Sequence, residues 1–438
     1  MDATVLSHGA PPGDAAPHSR GHTICRACGH ALEPFVDLGL SPLCESFVPP
    51  ERADAGEMFY PLDVKVCPHC WLVQLGEYVP PDDIFGEYAY FSSFSRAWLA
   101  HAADYVAAMA ARFGLGRDSF VVEVASNDGY LLRNAVERGI PCLGIEPAAN
   151  VARAAEEAGV PTLVRFFDAA LARELAAEGK QADLIAGNNV LAQVPDLHAF
   201  VGGFPVLLKP QGVLTLEFPH LLRLIEENQF DTIYHEHFSY FSLGTVRRLL
   251  AAHGLRVFDV DELWTHGGSL RVYACHENAA HPTAPAVEAL CATERGRGLE
   301  DMATYRAFDA RVRRTKRRLL RLLSDLREQG LSVVGYGAPG KGNTLLNYCG
   351  IRTDLLDYTV DRNPYKHGRL LPGTRIPIHP PDRIEQTRPD CVLILPWNLK
   401  DEIMRQLAPV AGWGGRFIVP IPEPVIVDPA DLSKGTAP

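Results

Sequence analysis

Ser119-Phe-Val-Val-Glu-Val-Ala125, followed by Ser126-Asn127-Asp128-Gly129 and Tyr130-Leu-Leu132, is the stretch that decides the fold. The first seven residues form an apolar run of strand length, the next four a small polar turn, and a helical pattern restarts over 130–138. Strand, turn and helix make the first βα unit of a doubly wound sheet, where ligands collect at the carboxyl ends of the strands. The next strand, 141–146, ends at Glu146, placed where a carboxylate grips a ribose diol. Two further strands follow, 182–186 running to Asn188 and Asn189, and 212–217, with helical segments between them. The turn is neither GxGxxG nor a P-loop, so pyrophosphate is disfavoured and a small adenosyl ligand fits, S-adenosylmethionine or another nucleoside cofactor. Glu123, Ala125, Ser126, Asn127, Asp128, Glu146 and Asn189 are its candidate contacts, with ordinary turn chemistry as the competing reading.

A second unit of this kind lies beyond a long helix expected over about 298–329, whose basic run from Arg311 to Arg321 reads as the polar face. Leu331-Ser-Val-Val334 reads as a strand, and Gly335-Tyr-Gly337-Ala-Pro-Gly340-Lys341-Gly342 opens the helix after it in GxGxxG spacing. Such glycines let backbone amides approach a phosphate at a helix N-terminus, and Lys341 adds a positive charge. Another strand, 355–360, ends at Asp361. Gly337, Ala338, Lys341, Asp361 and Lys366 are therefore candidate contacts for a nucleotide, against a purely structural turn.

Upstream, Cys25-x-x-Cys28 and Cys67-x-x-Cys70 supply two thiolates each from tight turns, enough to close a tetrahedral zinc site with no free position. That makes the metal structural. Cys44 lies between the pairs as a possible competitor; Cys142, Cys275, Cys291, Cys349 and Cys391 read as core residues.

With 438 residues, 47% hydrophobic and 22% charged, the chain divides as a disordered leader (1–20), a zinc-binding domain (21–85), a Rossmann-like cofactor domain (86–297) and a C-terminal Rossmann-like α/β domain (298–438). A net charge of −11 disfavours nucleic acid as partner. No run of about 18 apolar residues and no secretory signal is present, so a cytoplasmic protein is expected, with no membrane contact, acting as a monomer on a small molecule.

Tyr234-His235-Glu236-His237 concentrates a phenol, two imidazoles and a carboxylate in an apolar, aromatic run. An imidazole titrates near neutrality, a carboxylate can fix its tautomer, and a phenol can hold a substrate oxygen. A proton-abstracting base is the sharp reading. Metal ligation by the two histidines and satisfied core histidines are the others.

These motifs together resemble the C-methyltransferases that build branched deoxysugars of the mycarose and tetronitrose type. The likeness covers roughly 22–425 and rests on the four zinc-type cysteines, Glu123-Val-Ala-Ser-Asn-Asp-Gly129, Asp231-Thr-Ile-Tyr-His-Glu-His237, His266-Gly-Gly-Ser-Leu-Arg271, the run from Gly335 to Asn343, and Pro396-Trp-Asn-Leu-Lys400. The resemblance implies structural zinc, S-adenosylmethionine bound centrally, and a dTDP-linked 4-keto-deoxyhexose as acceptor. In that picture His237 removes the C-3 proton, Glu236 supports it, and Tyr234 or Tyr90 holds the sugar. The sugar carbon then takes the methyl through an enolate, with inversion, in antibiotic-sugar biosynthesis. The pattern has a histidine where this chain has Gln193, which hydrogen-bonds but does not titrate. An enolising epimerase without methyl transfer, or a non-catalytic nucleotide-binding module, are the rivals.

Overall fold

The computed structural model describes residues 23–80, 84, 91–94 and 96–429. The expected leader and Tyr90 lie outside them. Three sheets organise the chain, in the three-part α/β arrangement expected from the sequence.

The first is a small antiparallel sheet of β1 (Glu33–Ser41), β2 (Tyr60–Val66) and β3 (Val73–Leu75), completed by the two-residue strand Ser239–Tyr240 from far downstream. Its alternation is simple: Leu62, Val64 and Val66 face inward and are fully buried.

The second sheet has seven strands: β4 (Val121–Val124), β5 (Cys142–Ile145), β6 (Thr162–Leu163), β7 (Ala182–Asn188), β8 (Leu208–Pro219), β10 (Leu255–Leu263) and β11 (Ser269–His276), Ser239–Tyr240 counting as β9. The order is β6-β5-β4-β7-β8-β11-β10, parallel except where β11 pairs antiparallel with β8 and β10. β4 has β5 on one side and β7 on the other, so the chain reverses direction of winding there and opens a crevice at the carboxyl ends of β4 and β7. The four residues of β4 are all buried, as in a strand covered on both faces.

The third sheet runs β14 (Ile378–His379), β13 (Thr359–Val360), β12 (Val333–Tyr336), β15 (Cys391–Ile394), β16 (Arg416–Val419), β17 (Val425–Val427), with only β17 antiparallel. It is a second doubly wound unit, its switch point at β12.

The helix expected over 130–138 contracts to Arg133–Glu137. Gly129 is left-handed (φ +73°), and the amides of Asn134 and Ala135 reach back only three residues, to the Leu131 and Leu132 carbonyls, so the segment turns tightly before the α-helix begins. The strand expected over 355–360 keeps only its last two residues, because the Leu355 and Leu356 amides both turn back to the Arg352 carbonyl.

The helix Met302–Glu328 ties the units together. Its buried stripe of Tyr305, Phe308, Val312, Leu319 and Leu323 packs into one cluster with Phe35, Val36 and Leu38 of β1 and with Leu345 and Leu393 of the C-terminal unit. Phe35 stacks on Phe308 at 4.8 Å. Each such buried aromatic is worth about 2–3 kcal/mol, which is why the zinc unit and the C-terminal unit share a core. No helix among the described residues is long and apolar enough to cross a membrane.

Candidate active site

The polar turn after β4 is built from backbone conformations that side chains rarely adopt. Ala125 and Asn127 have φ of +58° and +48°, and Asn189, at the end of β7 across the crevice, has +56°. Such strain persists where the surroundings impose it and is common where a ligand is to be met. Both carboxylate oxygens of Glu146 hold this turn, accepting from the amides of Asn127 and Ala148, each at 2.9 Å. Burial raises the Glu146 pKa, and those two amides oppose the rise. The side chains of Asn127 and Asp128 accept from the amides of Ser92 and Ser93, docking the chain just past residue 90 on the same turn. Glu123 is fully buried beside the Tyr130 hydroxyl, and burial pushes its pKa well up. Ser126 Oγ, Asp128 Oδ1 and Asn189 Oδ1 are buried with no partner among the described residues. Buried polar atoms left open at a strand-end crevice are what an adenosyl ligand would satisfy.

The Tyr-His-Glu-His segment and its neighbours touch all three parts of the chain: His235 meets Pro61, the Ile233 carbonyl accepts from Thr344, and the Phe238 amide donates to Ala192. His237 Nδ1 is 3.1 Å from the carbonyl oxygen of Thr232, so that nitrogen carries the proton and donates it, leaving the Nε2 lone pair free. Burial lowers the ring's pKa to about 4, the Thr232 carbonyl opposes this, and His266 and Lys341 add to the lowering. Tyr234 packs on the ring at 4.2 Å. Its phenol is held well above its ordinary range by burial and then by Glu236. Sequence reasoning had Glu236 orient or electrostatically support His237. The acceptor at Nδ1 is the Thr232 carbonyl, and Glu236 accepts from the Cys44 thiol at 3.4 Å. Cys44 is therefore a neighbour of the reactive segment. His235 points elsewhere, its Nε2 to the Pro61 carbonyl at 3.2 Å, while its buried Nδ1 has no partner among the described residues. Gln193 follows Ala192, whose carbonyl accepts the Phe238 amide at 2.7 Å, so it sits beside this segment.

The candidate sugar-nucleotide residues divide into two groups. Lys341 hydrogen-bonds Asn398 Oδ1 at 2.8 Å and lies 4.8 Å above the Trp397 ring. Burial lowers it to about 8 while Asp231 holds it up; Asp231, which accepts from Trp397 Nε1 at 2.7 Å, is raised to about 6 by burial. The others form a knot: Ala338 donates to Asp361 Oδ2 at 2.7 Å, and the Lys366 ammonium binds the Ala338 carbonyl at 2.9 Å and Glu45 at 3.5 Å. The glycines of the turn accommodate this chain itself. A Cβ on Gly337 (φ +90°) would lie 2.6 Å from Pro396 Cδ, and one on Gly340 would lie 2.9 Å from Cys44 Sγ and 3.7 Å from Tyr234 Cζ. The start of the helix Gly340–Cys349 in the C-terminal unit thus stands beside the Tyr234 ring, with room for little more than a methyl between them.

His266 opens the motif His266–Arg271 quoted above. It has φ +56°, contacts Asn189 Nδ2 at 3.2 Å and packs edge-on to Trp98 at 5.4 Å, with a pKa lowered to about 4 by burial and then Lys341. Beneath it Glu217 accepts from Arg271 at 2.7 Å, His101 at 3.0 Å and Thr265 at 3.0 Å. Burial alone would raise Glu217, but His101 and Arg271 bring it below the ordinary carboxylate range.

The four cysteines Cys25, Cys28, Cys67 and Cys70 place their sulfurs within 4.8 Å of one another. Cys25 and Cys70 are 3.5 Å apart, Cys28 and Cys67 3.4 Å. A tetrahedral zinc with bonds of about 2.3 Å has edges of about 3.8 Å, so the set fits a closed structural zinc. Cys44 is outside it.

A doubly wound sheet in this order, with a strained polar turn and open polar atoms at its switch point, suits a nucleoside cofactor, and the comparisons give the class, a methyltransferase dependent on S-adenosylmethionine. Family models agree along the chain: a zinc binding domain over 25–85, a methyltransferase domain over 95–260, and a C-methyltransferase C-terminal domain over 264–422. C-methyltransferase NovU of Streptomyces niveus is 39% identical over 405 residues, covering 92% of this chain and 96% of that protein. The chain belongs to this C-methyltransferase family, with S-adenosylmethionine as methyl donor. Solved structures similar to part of it include magnesium protoporphyrin IX methyltransferase from Synechocystis PCC 6803 with bound S-adenosylmethionine (TM-score 0.31, 15% identity, 41% of this chain and 81% of that one). An S-adenosylmethionine-dependent methyltransferase from Clostridium acetobutylicum ATCC 824 is another (TM-score 0.32, 10% identity, 40% and 90%).

Proposed function

We propose that the chain methylates C-3 of a dTDP-linked 4-keto-deoxyhexose, with His237 as the base. The observation that carries this is the His237–Thr232 contact: a neutral imidazole whose Nδ1 proton is committed to a carbonyl presents Nε2 as a proton acceptor. A 4-keto group makes the neighbouring C–H acidic. As Nε2 takes the C-3 proton, the electron pair delocalises onto the C-4 oxygen, where a donor must meet the growing negative charge. The Tyr234 phenol, kept protonated by burial, and the Lys341 ammonium are donors of the right kind. S-adenosylmethionine, when bound, supplies a sulfonium-activated methyl for the enolate carbon. The turn residues 125–128 with Glu146 and Asn189 hold that donor, and alignment of the two partners supplies much of the rate. A sugar acceptor is supported by the motif series running through all three units and by the C-terminal unit's approach to Tyr234.

The test is incubation of the purified chain with methyl-labelled S-adenosylmethionine and a 4-keto-deoxyhexose nucleotide. Mass gain of one methylene at C-3, lost in His237→Asn, supports the reading. Solvent deuterium entering C-3 with no methyl gain would make the protein an epimerase instead, and binding with no turnover a nucleotide-binding module.

A further inference from the structure

The zinc unit is joined to the reactive segment by one side chain that leaves the metal cluster itself. Arg26 stands between the ligands Cys25 and Cys28. Its guanidinium donates from Nη1 to the Phe238 carbonyl at 2.6 Å and to Ser239 Oγ at 3.3 Å, and from Nη2 to the Leu75 carbonyl. It also lies 5.7 Å from the centre of the Phe238 ring, and its own amide donates to Gln74 Oε1 at 3.1 Å. The same Phe238 carbonyl accepts from the Leu75 amide at 3.0 Å, and the Phe238 amide donates to Ala192. Both backbone groups of the residue next to His237 are thereby fixed from outside the segment, one from the zinc unit and one from the turn before Gln193.

We propose that Arg26 is a positioning residue for the reaction: the metal knuckle holds Arg26, Arg26 holds the Phe238 carbonyl, and the His237 ring is thereby kept between Thr232 and Tyr234. The inference rests on His237 being the base. Zinc then serves catalysis through geometry, in addition to holding its own domain together. A planar guanidinium suits the task because its forked donors reach three acceptors from one stem, which a single ammonium cannot reproduce. Displacement of a base by about 1 Å costs on the order of 100-fold in rate.

The experiment uses the full zinc-loaded chain and reads proton exchange at C-3 of the 4-keto sugar nucleotide in deuterated buffer, with S-adenosylhomocysteine present. Zinc content and S-adenosylmethionine affinity are measured alongside. Arg26→Met is expected to keep both and to lose about 10- to 100-fold in exchange. Thr245→Val removes a different link between the units, the Thr245 Oγ1 bond to the Cys70 carbonyl at 3.1 Å, and is expected to exchange at the wild-type rate. Wild-type exchange in a zinc-loaded Arg26→Met, or an equal loss in Thr245→Val, overturns the proposal. Should Arg26→Met fail to hold zinc, Arg26→Lys decides: slowed exchange with zinc and cofactor binding intact supports it, unchanged exchange overturns it. His237→Asn runs in parallel, and wild-type exchange there removes the base reading independently of Arg26.

Discussion

His237 Nδ1 and the Thr232 carbonyl oxygen, five residues apart in the chain, are 3.1 Å apart in space, and this contact fixes which ring nitrogen keeps its lone pair. His237→Asn retains a donor near Thr232 but has no basic nitrogen. Methyl transfer should fall by about 10²- to 10⁴-fold, the usual worth of a general base, with S-adenosylmethionine affinity unchanged by calorimetry.

The pH profile should be unusual for a histidine base. With His237 lowered to about 4, the acid limb of kcat/KM belongs near that value, since the ring loses its lone pair only below it. Lys341, at about 8, should set the alkaline limb if its charge stabilises the enolate, with activity declining as the ammonium deprotonates. Rate measurements across pH on Lys341→Met test this: the alkaline limb should vanish, and its persistence would assign that limb elsewhere.

Stability should also decline in mild acid. His235, His237 and His266 are each lowered to about 4, whereas unfolded histidine titrates near 6.5. Between these values the unfolded chain binds protons that the folded one refuses, so stability is lost as pH falls from about 6.5 towards 4. The slope is at most about 1.4 kcal/mol per pH unit for each ring, less for the two that are only part-buried. Urea midpoints at pH 7 and pH 5, with the m-value unchanged, measure it.

Arg271→Met should destabilise by about 3–5 kcal/mol, because it strips the closest cation from a fully buried Glu217. Adding Glu217→Leu should recover much of that loss. Denaturant unfolding of the single and double variants gives the comparison, and additive losses would contradict it.

Gly340→Ala should cost about 1–3 kcal/mol and slow turnover more than its stability loss explains, since the added methyl meets Cys44 Sγ at 2.9 Å and stands 3.7 Å from Tyr234 Cζ. Thermal unfolding and kcat of one preparation separate the two effects.

Much of the fold was legible because its signals are local. The apolar run before Ser126, the glycine spacing from Gly335 and the paired cysteines each report on a few adjacent residues. What escaped depends on long-range contact. Cys44 meets Glu236 across 192 positions, and Arg26 meets Phe238 across 212, so no spacing announces either pair. The Thr232 carbonyl was invisible for a different reason: a backbone acceptor has no residue type to betray it. Trp397 and Asn398 did stand in a noticed motif, yet only packing reveals that they seat Lys341 against Asp231. The same holds for the turn glycines, whose spacing was read for a phosphate and whose missing Cβ atoms also make room for Pro396 and Cys44, a packing that spacing does not show.

β3 takes its outer partner from Ser239–Tyr240, two residues past His237, instead of from its own neighbourhood. A hybrid enzyme assembled by exchanging N-terminal units between relatives would therefore be cut through this pairing. Chimeras should work when the 73–75 and 239–240 segments are inherited from the same parent, and crossovers that separate them should yield proteins whose two halves are sound but out of step.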